Sequence, residues 1–174
     1  MAAAVTEDYA DVDVLLLGRV TYDSFAGAWP GRETAGGVDA GYAKQLGDTR
    51  KVVATHDTGD LGWRNVEATP DVVARVAELR EEPGVDKVLV AGSISIVRQL
   101  LAAGQLDELR LLVHPVIAGA GRHLFDPAAE VQPLRLLSSE SFPTGVLRLR
   151  YAPAELPRPA GYEDVVDKVP KGTG

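Results

Sequence analysis

The chain contains no cysteine. That excludes disulfides, thiolate zinc sites and cysteine nucleophiles together, and it fits a reducing cytoplasm. No apolar run approaches the roughly 20 residues that a membrane span needs. The first residues, Met1-Ala-Ala-Ala-Val-Thr-Glu-Asp8, are acidic and lack the basic region that opens a secretory signal. Basic residues are the minority charge: 18 Lys and Arg against 25 Asp and Glu give a formal net charge of -7. A nucleic-acid backbone is therefore not an expected partner, since binding it needs clustered Lys and Arg. Nor is an anionic membrane surface. The three histidines, His56, His114 and His123, are scattered, and no two of them fall at i, i+4 spacing with a carboxylate. A metal site is not expected from them. There is no Gly-x-Gly-x-x-Gly run, no phosphate-loop signature and no Gly-x-Ser-x-Gly elbow. Rossmann-type binding, P-loop binding and serine-hydrolase chemistry are thus unsignalled.

What is present is ordinary for a globular protein. The 174 residues are 45% hydrophobic and 25% charged. That is enough chain to bury one sizeable core. Residues 1–152 read as a single domain. The remainder, 153–174, is rich in Pro, Gly and charge and reads as an irregular tail.

Short apolar runs closed by turn residues mark buried strands. Val12-Asp-Val-Leu-Leu-Leu17 is one, ended by Gly18. Lys51 to Thr55, Lys87 to Ala91 and Leu109 to Val113 are others. A short helix is expected over Thr21 to Ala26, followed by a loop from Ala28 to Val38 that holds Trp29-Pro30-Gly31. Thr69-Pro70 reads as the cap and first position of a helix whose stripe is Val72, Val73, Val76 and Leu79. Ser93 to Ala103 reads as a further helix stopped by Gly104. Pro133 to Phe142 and Val146 to Ala152 flank Pro143-Thr-Gly145 and predict a hairpin. Strands alternating with helices predict an α/β fold with a mainly parallel, mixed sheet and an antiparallel C-terminal hairpin.

One local pattern occurs twice. Val14-Leu-Leu-Leu-Gly18-Arg19 and Val88-Leu-Val-Ala-Gly92-Ser93 both run from strand through glycine into helix. Glycine lets backbone approach a ligand closely, and the following helix aims free N–H groups and partial positive charge at the same point. Two such turns suit the two phosphates of a dinucleotide. Equally, such junctions occur throughout α/β folds. Arg19 adds a planar fork suited to phosphate, or it forms a surface salt bridge. Thr55 and His56 offer polar groups at the end of the second strand; taken alone they read as loop polarity. His114, before Pro115, reads as a strand-end residue. Gly119-Ala-Gly121-Arg122 is a basic turn that approaches a phosphate or simply reverses the chain.

Several segments resemble the dihydrofolate reductase superfamily. Leu16-Leu-Gly18-Arg19-Val-Thr21-Tyr22 resembles its strand, Gly-Arg-x-Thr and helix signature, and Val90-Ala-Gly92-Ser93 its second glycine turn. Leu106-Asp-Glu-Leu-Arg110, Val113-His-Pro-Val116, Gly119-Ala-Gly121-Arg122 and Leu124-Phe125 resemble stand-alone relatives of the riboflavin-biosynthesis reductase domain, the RibD C-terminal family. The matches run in order from about Val12 to Tyr151. The resemblance implies a dihydrofolate-reductase-like three-layer α/β/α fold and an NADPH-dependent reductase acting on a small pterin- or pyrimidine-like substrate. It places Gly18, Arg19 and Thr21 at the cofactor phosphates and Thr55, with His56 beside it, near the adenosine 2′-phosphate. Gly92, Ser93, Ile94 and Ser95 fall at the pyrophosphate. It also implies a cis peptide at Ala91–Gly92. It assigns no proton donor among these residues.

The sequence departs from the family at its start. Family members open with a strand and a Ser-Leu-Asp-Gly-like turn ahead of the segment matching Ala2 onward. The expectation is a shortened start, with Met1 an internal methionine; a genuine short form is the alternative. A sheet lacking that strand would leave edges unpaired, so lower stability or compensating dimerisation is expected. A homodimer through the apolar Leu109 to Ile117 strand is compatible with every reading. Beside the reductase stand two rivals: a non-catalytic dinucleotide-binding module with an incomplete substrate site, and an oligomeric structural protein that binds no nucleotide.

Overall fold

The computed structural model describes residues 2–57, 59–125 and 130–155. The chain divides into two compact units, Met1–Leu106 with Val116–Ala128, and Asp107–Pro115 with Ala129–Gly174. The proposed tail lies outside the described residues from position 156 on. No helix among the described residues is long and apolar enough to cross a membrane.

The first unit begins with helix α1 (Ala2–Asp8), strand β1 (Val14–Gly18) and helices α2 (Arg19–Ala35) and α3 (Ala40–Asp48). Strands β2 (Arg50–Ala54) and β3 (Val66–Thr69), helix α4 (Val72–Glu81), strand β4 (Val88–Val90) and helix α5 (Ile94–Ala102) follow. Its sheet has the order β3-β2-β1-β4, and every pairing is parallel. All four strands therefore end at one edge, with Gly18 opposite Ala54, Ala54 opposite Thr69 and Leu16 opposite Val90.

The apolar run of β1 is continuous because both of its faces are covered. Val14 and Leu16 pack with Val52 against Val72, Val76 and Leu79 of α4 and Ile96 and Leu100 of α5. Leu15 and Leu17 point the other way, onto Tyr22, Leu46, Val53 and Trp63. Helices on both faces make the unit a three-layer α/β/α sandwich. Each of the fully buried β1 leucines contributes about 2 kcal/mol of burial.

Three local expectations are corrected here. The loop expected over Ala28 to Val38 is mostly helix, because α2 continues to Ala35 with Pro30 inside it. Packing overrides the breaker: the Trp29 ring lies 5.1 Å from that of Tyr42 and 6.4 Å from that of Phe25. The Thr34 hydroxyl donates to the Pro30 carbonyl at 3.0 Å. The cap of α4 is Asp71, whose carboxylate accepts from the N–H groups of Val73 and Ala74. Thr69 instead ends β3, its hydroxyl bonding across the turn to Asp71. Finally, β5 is not part of the parallel set.

The second unit holds strands β5 (Leu109–Val113), β6 (Leu134–Ser141) and β7 (Leu147–Pro153) in the order β5-β7-β6, all antiparallel. The expected hairpin joins β6 to β7. Its turn closes through Gly145 N–H donating to the Phe142 carbonyl at 2.8 Å, with Gly145 at φ 80°. Leu109 is buried, but the rest of β5 is half-buried or exposed, so the expectation of a buried strand holds only at its start. Ahead of β5, Glu108 accepts a two-point ion pair from Arg150 at 2.7 and 2.8 Å, and Arg110 joins it. Those contacts, Arg150 foremost, hold the Glu108 carboxyl down at about 2. Among the described residues β4 pairs only with β1, and β5 only with β7.

Candidate functional site

The connections leaving β1 and β4 part to opposite faces of the sheet. The helix after β1 carries Tyr22 into one core, and the helix after β4 carries Ile96 and Leu100 into the other. Such a divergence opens a crevice outside the carboxyl ends of the two strands, where ligands of open α/β sheets bind. The two strand–glycine–helix turns meet there. Gly18 N–H donates to Ser93 Oγ at 2.7 Å, and Thr21 Oγ1 lies 3.0 Å from the same oxygen. Residues 75 and 72 positions apart in sequence are thus joined through one hydroxyl.

Both helix starts face this point without a side-chain cap. Gly18 precedes α2 and Ser93 precedes α5, and neither position makes a capping bond from its side chain. The first N–H groups of a helix have no partner within the helix. Their partial positive charge favours an anion. Ile94 and Ser95 open α5, with Ser95 exposed. Gly18 cannot carry a side chain without loss, since an added Cβ would stand 2.9 Å from Ser93 Oγ.

The cis peptide expected at Ala91–Gly92 is absent; the described chain contains no cis bond there. Two successive left-handed residues make the reversal instead, Gly92 at φ 83° and Ser93 at φ 55°. Glycine adopts that region freely. For serine it costs about 1 kcal/mol, less than the roughly 3 kcal/mol of a cis bond.

Arg19 stands at the same edge but is engaged. Its Nε donates to both Asp23 oxygens, at 2.9 and 3.1 Å, and its Nη1 to Asp57 Oδ2 at 2.9 Å. Thr55 and His56 lie just beyond the end of β2. Thr55 N–H donates to the Thr69 carbonyl at 2.9 Å, and its hydroxyl accepts from Asp57 N–H at 3.1 Å. That turn delivers Asp57 to Arg19. The hydrogen bond from Gly59 N–H and then the Arg19 guanidinium hold the Asp57 carboxyl below the usual carboxylate range, so it stays ionised. His56 is exposed.

The geometry therefore brings together Gly18, Thr21 and Ser93, with Ile94 and Ser95 at the mouth, and sets Arg19 and Thr55 alongside through Asp57. Asp23 and Asp57 were not singled out from the sequence. Asp23 was legible as an i, i+4 partner of Arg19 on a helix. Asp57 was not, because its pairing spans 38 positions.

The other candidates lie elsewhere. His114 and His123 are exposed, and among the described residues no group of three His, Asp or Glu side chains converges as a metal site would require. The turn at Gly119 to Arg122 leads into His123 and Leu124, whose carbonyls accept from Arg98 of α5 at 2.7 and 2.9 Å. This tether fixes the reversal to the helix. A cleft of about 430 Å³ lined by Asp48, Arg50, Asn65, Val66 and Glu67 opens at the amino ends of β2 and β3, the edge opposite the crevice. Arg50 there is paired with Glu67 and Glu82.

Comparison with known proteins follows the same outline. The RibD C-terminal domain family matches residues 1–148. The Bacillus subtilis protein YyaP is 24% identical over 146 residues, 84% of this chain and 77% of that one. A putative riboflavin biosynthesis protein from Shewanella sp. PV-4 superimposes with a TM-score of 0.63 at 18% identity, covering 86% of this chain and 78% of that one. A pyrimidine reductase-like protein from Corynebacterium diphtheriae gives 0.59 at 16% identity, covering 88% and 81%. A deaminase/5-amino-6-(5-phosphoribosylamino)uracil reductase from Thermotoga maritima gives 0.60 at 18% identity, with 88% of this chain matching 49% of that one. At these identities the structural likeness establishes the fold, which is dihydrofolate-reductase-like.

Proposed function

Since this chain belongs to the RibD C-terminal domain family, we propose that it is a reductase moving a hydride from NADPH to a small pterin- or pyrimidine-like substrate. One observation carries the cofactor half of this reading: two uncapped helix N-termini and the Gly18 N–H converge on Ser93 Oγ at the carboxyl edge of a parallel sheet. This suits a pyrophosphate in charge, in donor chemistry and in backbone access.

The residues divide the work. Gly18 and Gly92 keep side chains out of the crevice, so backbone N–H groups reach the phosphates. Thr21 and Ser93 supply hydroxyls that turn from each other to a ligand oxygen. Ile94 and Ser95 present the opening N–H groups of α5, whose dipole favours the negative charge. Arg19 and Thr55 flank the phosphate end. A bound reduced nicotinamide would supply the hydride, and the protein's part is to hold and orient it against the substrate. The family and the Corynebacterium and Thermotoga likenesses support a reducible pyrimidine-like substrate as the hydride acceptor.

Steady-state turnover tests this reading. The full chain, NADPH and a panel of reducible pterins and ribosylaminopyrimidines are combined, and loss of the reduced-nicotinamide absorbance is followed. Turnover with one class is the expected result. Tight NADPH binding with no turnover across the panel would return the non-catalytic binding module.

A further inference from the structure

The Arg19 ion-pair cluster bears on which dinucleotide the crevice accepts. In the order β2-β1-β4, a dinucleotide whose pyrophosphate lies between the ends of β1 and β4 has one arm directed toward the end of β2. The residues there are Thr55, His56 and Asp57. The chemistry that tells the two dinucleotides apart is general, and Rossmann-type sites show it: a carboxylate accepts from a free ribose 2′-hydroxyl, and an arginine accommodates a 2′-phosphate. Here both kinds of group are present, and they are bound to each other.

Two carboxylates share one guanidinium, so the cluster carries net negative charge. Asp57 is held from two sides, by Gly59 N–H at 3.0 Å on Oδ1 and by Arg19 Nη1 at 2.9 Å on Oδ2. Asp23 occupies Arg19 Nε. A 2′-phosphate carries about -1.5 to -2 charges at neutral pH. To use Arg19 it must displace Asp57 and then sit beside that carboxylate. A ribose with free hydroxyls meets neither cost and gains an acceptor.

We infer that Asp57 sets the dinucleotide preference of this site: by pairing Arg19 and presenting its own carboxylate at the end of β2, it cancels the advantage of the 2′-phosphate, so NADH is accepted about as well as NADPH. This rests on the crevice being a dinucleotide site. All three side chains of the cluster are at least 38% exposed, so the effect is that of a screened charge, about fivefold in affinity.

The test is calorimetric titration of the full-length wild type, Asp57→Asn and the Arg19→Ala/Asp57→Asn pair with NADPH and with NADH. Asparagine keeps the acceptor for Gly59 N–H, so the turn survives, and circular dichroism confirms folding. Expected are wild-type dissociation constants within about threefold of each other. Asp57→Asn should tighten NADPH about fivefold and NADH by less than about twofold, and adding Arg19→Ala should remove that gain. Equal responses of the two dinucleotides, or a wild type preferring NADPH more than about tenfold, would overturn the role of Asp57 while leaving the site intact. Failure of every folded variant to bind either dinucleotide would overturn the cofactor reading itself, and the role of Asp57 with it.

Discussion

The N–H of Gly18 and the hydroxyl of Ser93, 2.7 Å apart, tie the end of β1 to the start of α5. The same contact explains why position 18 is glycine. Its φ of -76° is open to any residue, yet a Cβ would meet Ser93 Oγ at 2.9 Å and Ser93 Cβ at 3.4 Å. Gly18→Ala should cost about 1–3 kcal/mol by overpacking. Ser93→Ala should cost about 1 kcal/mol for the lost hydrogen bond. Because the first change clashes with the atom that the second removes, the double variant should lose less than the sum. Urea unfolding of the four proteins measures this; strict additivity would mean that the two residues do not meet.

Gly92 presents a different constraint. Open space surrounds it, but its φ is 83°. Gly92→Ala should therefore destabilise by about 1–2 kcal/mol through backbone strain alone. Gly92→Val should also block close approach of the backbone and abolish binding of both NADPH and NADH. Retained binding by a folded Gly92→Val protein would remove this turn from the site.

Some of this organisation was legible in the sequence, and some was not. Strands β1, β2 and β4 stood out because runs such as Val14 to Leu17 are apolar on both faces, and the β6–β7 hairpin because Pro143-Thr-Gly145 separates two runs. The length of α2 did not, since Trp29-Pro30-Gly31 carries turn residues that aromatic packing on Tyr42 overrides. Helix α3 holds Gly41 and Gly47 and lacks a strong local signal. The four-residue β3 is too short to show a period. At the site, the two glycine turns were local patterns and could be read. Their meeting at Ser93 and the reach of Asp57 to Arg19 are tertiary, and no local spacing encodes them.

Glu108 makes the second unit sensitive to acid. Its carboxyl titrates at about 2 instead of the ordinary 4.5 because Arg150 and Arg110 bond to the ionised form. The unfolded chain thus takes up this proton at higher pH than the folded one. The resulting stability is complete above about pH 4.5 and is lost as pH falls toward about 2. Glu108→Gln should cost about 2 kcal/mol at neutral pH, and the gap from wild type should close across that window. A gap that is constant with pH would contradict the ion-pair assignment.

Lys51 gives a dependence of the same sign in an alkaline window. It is fully buried, and its ammonium donates to the carbonyls of Gly47, Thr49 and Arg64 at 2.9, 2.6 and 3.2 Å. Nζ also stands 4.4 Å from the centre of the Trp63 ring. Burial nevertheless pushes its titration down from 10.5 to about 8. Between these values the unfolded chain holds the proton and the folded chain does not, so stability should rise with pH from about 8 to 10.5. Trp63 fluorescence should change over the start of that range. In Lys51→Met both the rise and the spectral change should vanish; their persistence would place the titration elsewhere.

The most direct test of the account is a titration of the purified full-length chain with NADPH, followed by the fluorescence of Trp29 and Trp63 and by calorimetry. Saturable binding of one dinucleotide per chain, lost in Gly92→Val, is the result expected of a crevice built on Gly18, Ser93 and the N-termini of α2 and α5. No heat and no fluorescence change from a well-folded sample would contradict it.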